Sequence, residues 1–116
     1  MTTYNWSDVP VEQMNALVTR QVIHSAQITI AILSIAKGGS VPTHHHVNEQ
    51  VMNVFSGRLK VVLDGVETVL QGGQTLIVPP SVPHSVEALE DTVAVDVFNP
   101  IREDWIRGDD SYLRQK

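Results

Sequence analysis

The chain has 116 residues, 42% of them hydrophobic, which suits one domain around one core and leaves no room for a second. Charged residues make up 18% and the net charge is −5, with both signs interspersed, so no basic stripe offers itself to nucleic acid. Cysteine is absent, which excludes disulfides and thiolate metal sites. The first ten residues lack the basic and then apolar run of a secretory signal, and the longest apolar stretch, Ile28 to Ala36, is too short to cross a membrane. A cytoplasmic protein without a membrane partner is expected.

In chain order, Asp8 to Asn15 reads as a helical turn. Leu17 to His24 and Ile28 to Ala36 follow as strands, the second rich in β-branched residues. Lys37 to Ser40 breaks the pattern. Leu59 to Leu63 and Val66 to Leu70 flank Asp64-Gly65, a strong hairpin signal. Gly72-Gly73 marks a turn before Thr75 to Val78. Pro79 to Pro83 must be a loop, because proline gives no hydrogen bond to a ladder. Val86 to Leu89 and Thr92 to Phe98 complete the strands, with Glu90-Asp91 between them, and Glu103 to Arg107 reads as a last helical turn. Many short strands and no long amphipathic helix predict an all-β antiparallel sandwich or barrel, with the barrel over about 17–98, an arm over 1–16 and a tail over 99–116.

Four of the five histidines fall in two places, His44-His45-His46 and His84. Residues two apart on a strand share a face, so His44 and His46 point together and His45 points away. Gln50 keeps that parity if the strand continues through it. Two imidazoles on one face, with a third from a later strand, suit a divalent first-row metal ion. Alternatively, Gln50 only packs or hydrogen-bonds, leaving a three-histidine site or no site at all.

The stretch Gly38-x5-His44-x-His46-x3-Gln50-x6-Gly57 resembles the first cupin motif, and Gly73-x5-Pro79-x-Ser81-x2-His84 resembles the second. The resemblance runs from about Ile28 to Phe98 and implies a cupin double-stranded β-helix, or jelly-roll barrel, holding one divalent transition metal such as nickel, zinc, iron, manganese or cobalt. Three residues depart from the pattern: Gln50 stands in place of a glutamate, Ser81 in place of a glycine, and Ala88 in place of an asparagine. Only the first touches the chemistry. Three imidazoles and an amide leave the charge of the ion uncompensated, which favours an anionic ligand.

Asp96 sits among Val93, Ala94, Val95, Val97 and Phe98, so its carboxylate needs a partner or its pKa rises. Two readings follow: an Asp96–Arg102 ion pair that fastens the tail, or an interior acid/base with Arg102 clamping a substrate carboxylate. Gln50, with the ending Asp96-Val97-Phe98-x-Pro100-x-Arg102-x-Asp104-Trp105, resembles the pectin-degradation cupins. These convert ring-form unsaturated uronates into linear ketonised sugars. The resemblance implies His44, His46, Gln50 and His84 as metal ligands, Asp96 and Arg102 as catalytic residues, and Arg20 as a further substrate contact. A dioxygenase or isomerase acting on another small anion, and a non-catalytic sugar- or metal-binding cupin, remain as other readings. His24 reads as structural, Trp6 and Trp105 as lids or dimer contacts, and Met52 and Phe55 as core or pocket lining. A homodimer pairing through edge strands is expected.

Overall fold

The structure, a computed structural model, describes residues 1–114. A single 3-10 turn, Trp6–Asp8, precedes ten strands: β1 (Glu12–Asn15), β2 (Val18–His24), β3 (Thr29–Ile35), β4 (Ser40–His44), β5 (Glu49–Ser56), β6 (Arg58–Leu63), β7 (Val66–Gln71), β8 (Gln74–Val78), β9 (His84–Ala88) and β10 (Thr92–Asn99). A one-turn helix, α1 (Glu103–Ile106), and a 3-10 turn, Ser111–Arg114, follow. Two antiparallel sheets face each other, one in the order β1-β2-β3-β10-β5-β8 and the other β4-β9-β6-β7. This is the antiparallel barrel expected from the strand spacing, in the jelly-roll form that the motif resemblance implies.

Alternation builds the interior. Along β10 the odd residues face out and Thr92, Ala94, Asp96 and Phe98 face in, all buried. Cross-strand pairing sets Asp96 in an inner row with Val22, Ala31, Met52 and Leu76, a carboxylate in the middle of an apolar sheet. Val41, Leu59, Val61 and Val86 face it from the second sheet.

Turn chemistry sets the connections. Asp64 and Gly65 have φ of 50° and 80°, the conformation of a type I′ hairpin, and Leu63 pairs with Val66 across it. Ser81, in the proline loop, has φ 64°, which explains why a glycine is ordinary there; its N–H donates to the His46 carbonyl at 2.7 Å.

Three expectations are corrected. Asp8 to Asn15 is no helical turn: the turn is at Trp6–Asp8, and Glu12–Asn15 is an edge strand whose Met14 reaches the core. His44 to Gln50 is not one strand, since β4 ends at His44 and residues 45–48 cross to the other sheet before β5 begins. Phe55 faces outward and is 69% exposed, whereas Met52 is buried.

Gly57 joins β5 to β6 at φ 93°, and a Cβ there would meet Asp91 O, as well as Thr92 Oγ1 at 2.6 Å and Thr92 Cα at 2.8 Å. Gly65 has a similar φ but open space around it. Gly65→Ala should therefore cost only the left-handed backbone penalty, ~1–2 kcal/mol. Gly57→Ala should cost several kcal/mol by adding backbone displacement. Chemical denaturation of both variants checks the order; equal losses would contradict the packing argument.

Candidate metal centre

Two strand ends and one loop deliver the histidines. His44 closes β4, His84 opens β9, and the two pair across the ladder; His46 lies in the crossing segment. Gln50 enters from β5, where it pairs with Phe98 and Val78. Imidazole nitrogens of His44, His46 and His84 lie within 4.8 Å of one another, close enough to share one ion. Gln50 joins them although the strand is interrupted, because β5 begins one residue earlier, at Glu49.

The tautomers are set by backbone carbonyls. His44 Nδ1 donates to Pro42 O at 2.7 Å, His46 Nδ1 to Asn48 O at 3.1 Å, and His84 Nδ1 to Val82 O at 2.9 Å. Each Nε2 is thereby left as an acceptor, the form that ligates metal. His46 Nε2 stands 3.1 Å from Gln50 Oε1. Two acceptors at that distance need a cation or proton between them. His84 Nε2 is buried with no partner among the described residues. These features fit a cation at the centre. Burial keeps the rings neutral: it lowers His44 to a pKa of about 3 and His46 to about 4, and lowers His84 as well.

Asp96 is 3% exposed, and its Oδ1 has no partner among the described residues. Burial raises its pKa to about 7, against the opposing pull of the Gln50 amide and the Arg102 charge. Near neutral pH it can both hold and release a proton.

Arg102 is not its ion-pair partner. Its Nε and Nη2 donate to both carboxylate oxygens of Asp104 at 3.0 and 2.9 Å, and Nη2 also to the Tyr112 hydroxyl at 2.8 Å. Burial opposes ionisation of Asp104, but the Arg102 hydrogen bonds outweigh it and hold its pKa down. Arg102 is 1% exposed, and its backbone N–H donates to Thr29 Oγ1 at 2.9 Å. Its guanidinium stacks on Phe98 and Trp105, at 4.6 and 4.1 Å from the ring centroids. The expected Asp96–Arg102 fastening is replaced by Thr29, which accepts from the Arg102 N–H, and by Asn48 Nδ2, which donates to Pro100 O at 2.6 Å.

Arg20 is buried, not a surface residue. It donates to Glu12 at 2.7 Å and to Asp110 at 2.9 Å, and lies 4.6 Å from the Trp105 ring centroid on the face of that ring. Its Nη1 has no partner among the described residues.

His45 is exposed, as its parity implied, and His24 bonds Thr29 Oγ1 at 2.7 Å in a structural role. Sequence reading missed Tyr112. Its ring stacks on His44 with centroids 4.4 Å apart, and its hydroxyl accepts from Trp105 Nε1 at 3.0 Å. Only its place beside an apolar Leu113 in a polar tail could have singled it out.

The model of the cupin domain family matches residues 31–98. The pectin degradation protein KdgF of Dickeya dadantii is 28% identical over 102 residues, 85% of this chain and 93% of that protein. An RmlC-like cupin from Shewanella frigidimarina superposes with a TM-score of 0.85 at 27% identity, covering 90% of this chain and 96% of that one. KdgF from Halomonas sp. superposes at 0.84 with 22% identity, covering 90% and 98%.

The raised pKa of Asp96 has a thermodynamic consequence. A carboxyl whose folded pKa exceeds its unfolded value contributes stability that is complete below the unfolded value, 3.8, and is lost as pH climbs to about 7. The full loss is on the order of 4 kcal/mol. In metal-free protein, Asp96→Asn should be the more stable form at pH 8, with the advantage vanishing toward pH 4. The histidines are common to both forms and cancel. Thermal unfolding across that range measures it, and a pH-independent difference would refute the buried, unpaired carboxyl.

Proposed function

The chain belongs to the cupin family, and from that premise we propose that it is a metal-dependent enzyme that opens and ketonises ring-form unsaturated uronates. The observation that carries the reading is the apposition of an interior carboxyl, Asp96, whose Oδ1 has no partner among the described residues, to three neutral histidines and Gln50. Similarity to a protein named for pectin degradation supports the substrate class.

His44, His46, Gln50 and His84 would hold one divalent ion. That ion would supply Lewis-acid polarisation of substrate oxygen. A shell with no carboxylate leaves its charge available to an anion, as a uronate is. The transformation is an internal rearrangement: the bond from the ring oxygen to the anomeric carbon breaks, a carbonyl forms there, and a proton passes from the anomeric hydroxyl to the ring carbon of the enol. No co-reactant is needed. Asp96, with a pKa of about 7, takes the hydroxyl proton and returns it to carbon. Arg20, and Arg102 on the same Trp105 ring, held rigidly by stacking and by Asp104, together orient the substrate carboxylate.

We also assign this chain a second copy as partner. On the outer face of the six-stranded sheet, Ile23, Ile30, Val97, Val51 and Ile77 form one row across five strands, and Gln21, Ile32, Val95, Asn53 and Thr75 the next. Neither row carries charge, so two molecules of net charge −5 can meet there without juxtaposing like charges. Ile77→Lys should shift the sedimentation of the protein from dimer to monomer, and an unshifted dimer would remove this face from the contact.

Asp96→Ala should reduce turnover of an unsaturated uronate by 10²–10⁴-fold with bound metal unchanged. His84→Ala should lose the metal itself. Rate assays paired with elemental analysis separate the two, and unaltered turnover in Asp96→Ala would end the acid/base role.

A further inference from the structure

The site is too full for its substrate. The space enclosed among His44, Gln50, His84, Asp96, Arg102 and Tyr112 is about 30 Å³, on the order of one water molecule or one ion. Ligand pockets ordinarily run to about 300–1,000 Å³. The volume is taken up by the C-terminal segment. Tyr112 lies flat against the His44 ring, and Leu113 lines the same space and is 3% exposed.

The segment is held mainly by polar contacts. Asp110, itself buried, accepts from Arg20 at 2.9 Å and from Arg114 at 3.2 Å. Tyr112 adds the two hydrogen bonds to its hydroxyl, from Arg102 and Trp105. The apolar anchor is Leu113, whose carbonyl also accepts from Asn15 at 3.1 Å. These groups match what a uronate would bring. The Asp110 carboxylate sits on a buried guanidinium, and a flat ring lies beside a candidate ligand histidine. If Asp110 left, Nη2 of Arg20 would join Nη1 in lacking an acceptor, beside the indole that Arg20 shares with Arg102. Arg20 would keep Glu12 on its Nε, and the two open Nη groups would take an incoming carboxylate as a bidentate partner.

We infer that residues 109–114 form a displaceable plug that mimics the substrate, with Asp110 holding the carboxylate position on Arg20 and Tyr112 holding the ring position on His44. An anionic sugar enters by exchanging its carboxylate for that of Asp110, so the plug admits acids and leaves neutral sugars outside. The inference rests on the uronate reading above, and it adds that the closed form is the resting one. Apparent affinity is then lowered by the fraction of open molecules, and a weaker clasp should recover it.

The absence of cysteine from the chain provides the test. A single Leu113→Cys substitution places a thiol on the plug, and its labelling by iodoacetamide reports opening. In metal-loaded protein, labelling should be slow, roughly tenfold faster with saturating glucuronate, and unchanged by glucose. Adding Asp110→Asn should speed labelling without any sugar. In a chain with Leu113 intact, Asp110→Asn alone should speed removal of metal by a chelator about tenfold and lower KM with little change in kcat. Labelling and metal release that ignore both glucuronate and Asp110→Asn would overturn the plug, even if unsaturated uronates are turned over. Accelerated labelling and release without turnover of any unsaturated uronate would uphold the plug and sink the catalytic reading instead.

Discussion

Everything chemical in this barrel depends on three imidazole N–H groups being spent on main-chain carbonyls. Pro42, Asn48 and Val82 each accept from a histidine two residues away, so the short stretch of chain that carries each ring also fixes its tautomer. The three remaining lone pairs are then forced to face a common point. Burial supplies the second half of the arrangement, because it keeps the rings from resolving their mutual repulsion by protonation. Neutral acceptors facing one another in a dry interior are stable only around a cation.

The neutral shell gives Asp96 its importance. With an amide at position 50, no carboxylate ligand competes with Asp96 for a proton, and its pKa is governed chiefly by burial in the row of Val22, Ala31, Met52 and Leu76. A second carboxyl close by would couple to it, and one of the two would stay protonated through neutral pH. Gln50 avoids that coupling while still presenting an oxygen. In the proposed reaction the carboxyl and the metal charge are thereby separated: the four donors would hold the ion, and Asp96 would be left to move a proton.

The barrel and its centre were legible because both rest on local signals. Strand alternation, Asp64-Gly65 and the proline loop are short-range features, and His44, His46 and His84 are recognisable by spacing. Gln50 Oε1 stands 3.1 Å from His46 Nε2 although the continuous strand is absent, because its alignment comes from a crossing segment. The glycine-to-serine departure at 81 also acquires meaning only from its positive φ. What escaped the sequence is long-range pairing. Nothing local says that Arg20 is clasped by a residue 90 positions later or that Tyr112 returns to lie on His44, whereas Arg102 takes the carboxylate two residues away, Asp104, and not the more distant Asp96. Edge strand β1 differs: its partner β2 follows directly, but four residues are too few to declare a strand until that partner is present.

These late partners follow one rule. Arg20 and Arg102 are both buried on Trp105, and two guanidiniums sharing an indole face net repulsion unless each is neutralised. Glu12 and Asp110 answer the first, and Asp104 the second. Of these carboxylates, Asp110 alone lies on the segment that closes the cavity, so the charge balance of the interior is tied to whether the cavity is closed. An anion that replaces Asp110 restores the balance in the open form, whereas a neutral molecule of the same shape leaves Arg20 short of a partner. Selectivity for acids thus arises from the need to satisfy a buried cation, independently of how well the sugar ring itself fits.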